Sequence, residues 1–96
     1  MLSRSDFIFT IGYDGPVAVV DGQAKKNYGS LTTSELVKKG FFRAAYASAL
    51  FSRDSKEMAL VIDEYNKMSG TSYNPEDSLE RLFGVLLVEV KRAVVL

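Results

Sequence analysis

The sequence predicts an α+β fold in which an N-terminal antiparallel β-hairpin or three-stranded meander is followed by three helices. Three observations indicate this class: an Asp14-Gly15 pair between two apolar runs, a capping pattern that begins at Thr32, and further helix-start signals at Asp54 and Asn74. An Asp-Gly pair in this setting is a strong hairpin signal, because both residues tolerate the positive φ of a tight turn. Threonine, aspartate and asparagine are preferred helix N-caps.

The strand prediction covers the N-terminal part of the chain. Residues 7–13 contain the aromatic and β-branched side chains that suit a pleated sheet. Residues 16–20 form the second predicted strand. A second turn signal, Asp21-Gly22, leads into residues 23–28, which are polar and are therefore predicted to form an edge strand if they pair at all.

One central helix is predicted over residues 31–52, with the core of the protein around it. Thr32 and Glu35 have the spacing of a capping box, in which each side chain accepts a hydrogen bond from the other residue's backbone N–H. Helical spacing places three small residues on one face, where a neighbouring backbone could approach closely. These residues are Gly40, Ala44 and Ala47.

Two more helices follow in the prediction. The first runs from an Asp54 cap, supported by Glu57, to Gly70 as the C-terminal left-handed residue. The second runs from Pro75 to about Ala93, because leucines and valines recur there at helical spacing. The alternative for this segment is a break at Gly84 followed by a strand. The predicted inner stripe of the first helix is Met58, Val61, Ile62, Tyr65 and Met68.

Length and charge limit the possible architectures. Residues 1–96 are predicted to form a single small globular domain, since 96 residues are too few for two independent cores. Twelve basic and twelve acidic residues give a formal net charge of zero. No overall field therefore attracts nucleic acid or anionic lipid.

The sequence also predicts a soluble, cytoplasmic protein with no membrane partner. Charged residues interrupt the apolar stretch near residue 90, which is then too short to span a bilayer. Asp6 interrupts the first apolar run, which is unlike a secretory signal. The chain has no cysteine, so a disulfide framework is excluded.

The composition argues against catalysis. Without histidine or cysteine, the chain lacks the common general base, the commonest metal ligand and the strongest nucleophile near neutral pH. The remaining acids do not have the spacing of a calcium loop. We therefore expect no enzymatic activity, no metal and no cofactor.

Five apolar residues are candidates for an interface. Some point away from the apolar stripes of the predicted helices, and the others extend the apolar C-terminal segment. They predict a non-catalytic interaction or regulatory module, which forms a homo-oligomer or binds a protein partner through the C-terminal helix or a sheet edge. The candidates are Leu60, Val85, Val88, Val95 and Leu96.

The alternative function is nucleic-acid binding through a basic surface. Cationic side chains with a nearby aromatic ring can contact phosphates and stack on a base. A charged, solvated helix face explains the same residues and is favoured. Gly29 and Ser30 could present backbone N–H groups to an anion, but the predicted capping box would satisfy those donors. The candidates are Lys25, Lys26, Tyr28, Lys38, Lys39 and Arg43.

Overall fold

The computed structural model describes residues 2–75, 77, 79–85 and 90–96. It confirms a mixed α+β protein, with six helices and a three-stranded sheet in the described part of the chain. The chain divides into two compact units, the first from Met1–Ser30 and Leu87–Leu96, the second from Leu31–Leu86. Organisation as a single domain stays a prediction.

The described part of the chain begins with a helix and a hairpin, continues with five helices and ends with a strand. The helices are α1 (Arg4–Ile8), α2 (Gly22–Tyr28), α3 (Thr33–Lys38), α4 (Phe42–Ser52), α5 (Ser55–Ser69) and α6 (Glu80–Phe83). The strands are β1 (Thr10–Asp14), β2 (Val17–Val20) and β3 (Arg92–Val95).

The sheet of the first unit has the strand order β1-β2-β3. Strands β1 and β2 are antiparallel, which confirms the predicted hairpin, whereas β2 and β3 are parallel. Asp14 pairs with Val17, so Gly15 and Pro16 are the central residues of the turn. Only Gly15 has a positive φ, +58°. The turn therefore lies one residue later than predicted. Proline fixes a negative φ, so with Pro16 as its second central residue the turn cannot have the two positive φ values of type I′.

The strand predicted over residues 7–13 is wrong in its first half. Residues 4–8 form α1, whose start is capped by the Ser3 hydroxyl, an acceptor for the Asp6 N–H at 3.2 Å. The strand begins only at Thr10 and is irregular next to it, where Ile11 is displaced from the pairing and 59% exposed. A local N-cap therefore prevails here over the β propensity of aromatic residues.

The third strand predicted over residues 23–28 is also wrong, because this segment forms α2. The Asp21 carboxylate accepts hydrogen bonds from the N–H groups of Gln23 and Ala24, both at 3.1 Å. Alanine, lysine and glutamine have high helix propensity. Once Asp21 acts as an N-cap, Gly22 begins a helix and does not complete a hairpin turn.

The predicted central helix is divided into α3 and α4. Its start is confirmed, since the Thr32 hydroxyl and the Glu35 carboxylate form the reciprocal capping box. The division follows from a Schellman motif: the Gly40 N–H donates to the Val37 carbonyl at 2.9 Å, and the Phe41 N–H donates to the Leu36 carbonyl at 3.0 Å.

Gly40 does not lie at a close helix crossing, contrary to prediction. It is exposed, and a Cβ atom added there would have no neighbour within 4 Å. Its φ of +79° explains the glycine, because side chains rarely adopt this backbone conformation. Ala44 and Ala47 are buried as predicted and belong to the core of the second unit.

We predict that Gly40→Ala lowers the free energy of unfolding by about 1 kcal/mol through backbone strain alone. Chemical denaturation measures this change. The comparison variant is Lys38→Ala, which alters the last residue of α3 without requiring a positive φ. A Gly40→Ala protein as stable as the parent would contradict the proposed role of the left-handed turn.

Helix α5 has the predicted bounds, from the Asp54 cap to left-handed Gly70 with φ +73°. Its inner stripe is confirmed in part: Val61 and Ile62 are buried, but Met68 is 61% exposed. Glu57 lies in the first turn but does not complete a capping box, because the Asp54 N–H donates to the Ser52 hydroxyl at 3.3 Å. The Glu57 carboxylate accepts a hydrogen bond from the Thr33 hydroxyl.

The helix predicted from Pro75 to Ala93 is wrong. Asn74 closes a turn with Asp77, and α6 covers only Glu80–Phe83 before left-handed Gly84, with φ +69°. Residues 86–89 lie outside the described part of the chain, and Arg92–Val95 form β3. The alternative, a break at Gly84 followed by a strand, agrees with these described residues. Pairing with β2 stabilises the valine-rich end as a strand.

Candidate functional site

A run of exposed apolar residues in the first unit lies along β3 and the residue that follows it. We call residues 92–96 the β3 edge. In the described part of the sheet, β3 is hydrogen-bonded to β2 on one side and to no strand on the other. Three successive residues are exposed to solvent: Val94 by 41%, Val95 by 48% and Leu96 by 74%. An apolar strand with one open side can pair with another extended chain.

The five interface candidates have different positions. Val95 and Leu96 lie on the β3 edge and are exposed. Val85 is only 4% exposed, so the structure corrects the prediction that its side chain faces outward. Leu60 is partly exposed on α5. Val88 lies outside the described residues.

Leu60 lines a groove of about 390 Å³ beside α5, in the second unit. The loop after α5 forms the other wall and is fixed by Asn66, whose amide donates to the Tyr73 carbonyl at 2.8 Å. The Asn66 side-chain oxygen accepts from the Tyr73 N–H and from the Thr71 hydroxyl. These hydrogen bonds fix the shape of the loop. They use its polar groups internally, so they do not identify a ligand for the groove.

The basic candidates of the first unit are all on α2. Lys25 forms an ion pair with Asp6 on α1, with 2.6 Å between Nζ and Oδ1. Lys26 is exposed, and Tyr28 is partly exposed. Part of the positive charge is thus already neutralised, but Lys26 remains available to an anion.

The basic candidates of the second unit lie near acceptors of their own unit. Arg43 is exposed on α4 and donates to the Gly84 carbonyl at 3.3 Å. Lys38 and Lys39 end α3, where their charges act on Glu35. The pKa of Glu35 is lowered first by the Thr32 backbone N–H, then by the Thr32 side chain, and less by the two lysines. These positions agree with a solvated helix end, and nucleic-acid binding stays a prediction.

A buried polar chain joins three helices of the second unit. Thr33 on α3 donates its hydroxyl proton to the Glu57 carboxylate on α5. The Ser48 hydroxyl on α4 lies 2.7 Å from the Thr33 hydroxyl, and it donates because the Thr33 proton is already engaged. Thr33 and Ser48 are both buried. This chain could not be predicted from the sequence, since no local spacing connects the three residues.

Aromatic rings fill the same unit around Tyr46. Tyr46 stacks on Phe83 with 4.7 Å between ring centroids, and Tyr65 contacts the Phe83 ring edge to face at 5.0 Å. The Tyr46 hydroxyl accepts a hydrogen bond from the Leu79 N–H at 3.0 Å. Burial raises the pKa of Tyr46, so the hydroxyl stays protonated at neutral pH. This arrangement is structural, and it fixes α6 to α4.

Neither a metal site nor a membrane span is found in the described ranges. No three acidic side chains there come close enough to hold a metal ion. No helix among those residues combines the length and apolar character that crossing a bilayer requires.

Comparison with protein-family models, with curated proteins and with solved structures finds no significant match to this chain. Its function is therefore inferred from its own residues.

Proposed function

We propose that this protein is a non-catalytic interaction module that self-associates through the β3 edge. The observation that carries this proposal is the run of three exposed apolar residues on the β3 edge, whose outer side pairs with no strand among the described residues. The absence of histidine and cysteine from the sequence supports a non-catalytic role. The open sheet edge replaces the C-terminal helix as the binding element, because the helix predicted there is not formed.

A second copy of the chain is the partner that the charges favour. The formal net charge is zero, so two copies do not repel each other as whole molecules. Two identical edges that pair antiparallel form a closed, two-fold symmetric dimer. Such a dimer joins the two sheets into one and leaves no further copy of this edge open.

The proposed register avoids repulsion between the charges of the two copies. Antiparallel pairing centred between Ala93 and Val94 places Arg92 opposite Val95, and Lys91 opposite Leu96. Like charges directly opposite each other destabilise a strand pair. In this register the cations of one copy lie beside apolar residues of the other, so such repulsion is avoided.

Two opposite charges at position 96 test this proposal. Leu96→Lys places a lysine opposite Lys91 of the second copy, whereas Leu96→Glu places a carboxylate there. We expect sedimentation velocity to show a dimer for the parent protein at micromolar concentration. The dissociation constant should be larger for Leu96→Lys than for Leu96→Glu by on the order of tenfold, because each symmetric dimer contains the pair twice.

Met68→Lys is the matched control, since it removes an apolar residue of similar exposure in the other unit. It should leave the dimer unchanged. A parent protein that stays monomeric over the whole concentration range would refute self-association. A dimer on which the two Leu96 variants have the same effect would refute the proposed register.

A further inference from the structure

The first unit contains an open, shallow cavity of about 420 Å³ along one face of α2. Cavities of this size hold small molecules. Its polar lining consists of two lysines, two serines and two glycines, and no carboxylate is among the described residues that line it. These six residues are Lys25, Lys26, Ser5, Ser30, Gly22 and Gly29.

The cavity lies at the carboxyl ends of the parallel strands β2 and β3. Val95, the last residue of β3, is part of its wall. Gly22 begins α2 one residue after β2 ends, and a Cβ atom added there would clash with the Leu96 carbonyl oxygen. The helix start and the strand end are therefore in close contact. In sheets with parallel strands, ligands bind preferentially beyond the carboxyl ends of the strands.

The charges around the cavity favour an anion. Lys25 forms an ion pair with Asp6, with 2.6 Å between Nζ and Oδ1. The Arg4 guanidinium donates a hydrogen bond to the Gly29 carbonyl at 3.2 Å. Lys26 is exposed and forms no ion pair with any residue that the structure describes. The Asp21 carboxylate is engaged as the N-cap of α2. Among these side chains three cations face two carboxylates, and Lys26 is a cation that no described carboxylate neutralises.

We propose that this cavity binds the phosphate group of a small phosphorylated molecule. The Lys26 ammonium supplies the ionic contact, and the Ser5 and Ser30 hydroxyls supply neutral donors. A hydrogen bond from an ammonium group to a phosphate is charge-assisted and therefore stronger than one between neutral groups. Gly29 is required by the fold itself, because a Cβ atom there would clash with the Lys25 carbonyl oxygen and press on the Ser5 side chain. Val95 provides an apolar wall for the remainder of the molecule.

Titration of the ¹⁵N-labelled protein with ribose 5-phosphate, inorganic phosphate and ribose tests this site by NMR. We expect saturable shifts of the Gly22 and Gly29 amide signals with ribose 5-phosphate, weaker binding of inorganic phosphate, and no effect of ribose. Gly70, in the other unit, provides the internal control. No saturable shift with ribose 5-phosphate would overturn the proposal. Equal affinity for inorganic phosphate would restrict the site to a simple anion and refute the proposed ligand class.

A pair of lysine variants locates the contact. Lys26→Gln should weaken binding of ribose 5-phosphate about tenfold, since it removes a charge-assisted hydrogen bond. Lys38→Gln removes the same charge from α3 and should leave the affinity unchanged. Equal losses in both variants would contradict a defined site. A single-stranded oligonucleotide that competes for the same signals and binds more tightly than ribose 5-phosphate would instead favour nucleic-acid binding.

Discussion

Replacement of Tyr46 with alanine should lower the free energy of unfolding by about 3–5 kcal/mol. The Tyr46 side chain is only 1% exposed and stacks on Phe83. Its removal leaves a cavity between α4 and α6 and deprives the Leu79 N–H of its acceptor. Urea denaturation followed by circular dichroism measures the loss. Because α6 has only four residues, we expect it to lose its helical structure first.

Two further variants separate packing from hydrogen bonding. Tyr46→Phe keeps the ring and removes the acceptor, which should cost about 1–2 kcal/mol. Phe51→Ala truncates an aromatic residue of the same helix that is 41% exposed, and it should cost less than Tyr46→Ala. A Tyr46→Ala protein no less stable than Phe51→Ala would show that Tyr46 is not part of the core.

The raised pKa of Tyr46 also gives a pH dependence. Burial is its main cause, the Leu79 N–H opposes it, and Glu80 adds to it. When folding raises the pKa of a group, that group contributes its full stability at every pH below its pKa in the unfolded chain, which is near 10.0 for tyrosine. The contribution is lost as the pH rises through the folded pKa. The parent protein should therefore lose more stability above this pH than Tyr46→Phe does, and equal losses would contradict burial of the hydroxyl.

Local signals, namely helix caps and the Asp14-Gly15 hairpin signal, were the parts of the fold that could be predicted from the sequence. The Thr32 capping box, the Asp54 cap and the Gly70 C-terminus depend on residues within a few positions of one another. Ser3 and Asp21 have the same kind of signal, but β propensity and an Asp-Gly pair outweighed it in the prediction. Two N-terminal helices were missed for this reason. At these two positions the hydrogen bond of the cap decides the structure.

Long-range pairing could not be predicted from local spacing. Strand β3 pairs with β2, which lies near the other end of the chain. Valines and leucines between residues 79 and 94 fit a helical period as well as a strand, so periodicity did not distinguish the two. For Gly40, the sequence did not reveal why a glycine is needed. Its small size suggested close packing, but its positive φ is the reason for the glycine.

The candidate site was predictable only where apolar residues remain exposed. Val95 and Leu96 were identified because an apolar C-terminal segment is evident in the sequence. Val85 was assigned to the surface from a helix that does not form, and it is buried. The cavity beside α2 was missed because Ser5 and Val95 come from opposite ends of the chain. Each error follows from a contact between distant residues.

The buried polar chain of the second unit should be sensitive to the loss of one hydroxyl. Thr33→Val keeps the branched shape of the side chain but removes its hydroxyl. That hydroxyl donates a hydrogen bond to Glu57 and accepts one from Ser48. We expect the free energy of unfolding to fall by roughly 2–3 kcal/mol, because a carboxylate and a buried hydroxyl both lose a partner. Thermal and urea denaturation measure this loss.

Thr33→Ser and a double-mutant cycle identify the cause. Thr33→Ser keeps the hydroxyl and removes only a methyl group, so it should cost about 1 kcal/mol, less than Thr33→Val. If the Thr33 and Ser48 hydroxyls act through each other, Thr33→Val combined with Ser48→Ala should cost less than the sum of the two single variants. Strictly additive losses would mean that the hydroxyls contribute independently. The polar chain would then be two separate contacts and would not couple α3, α4 and α5, even though the three helices pack together.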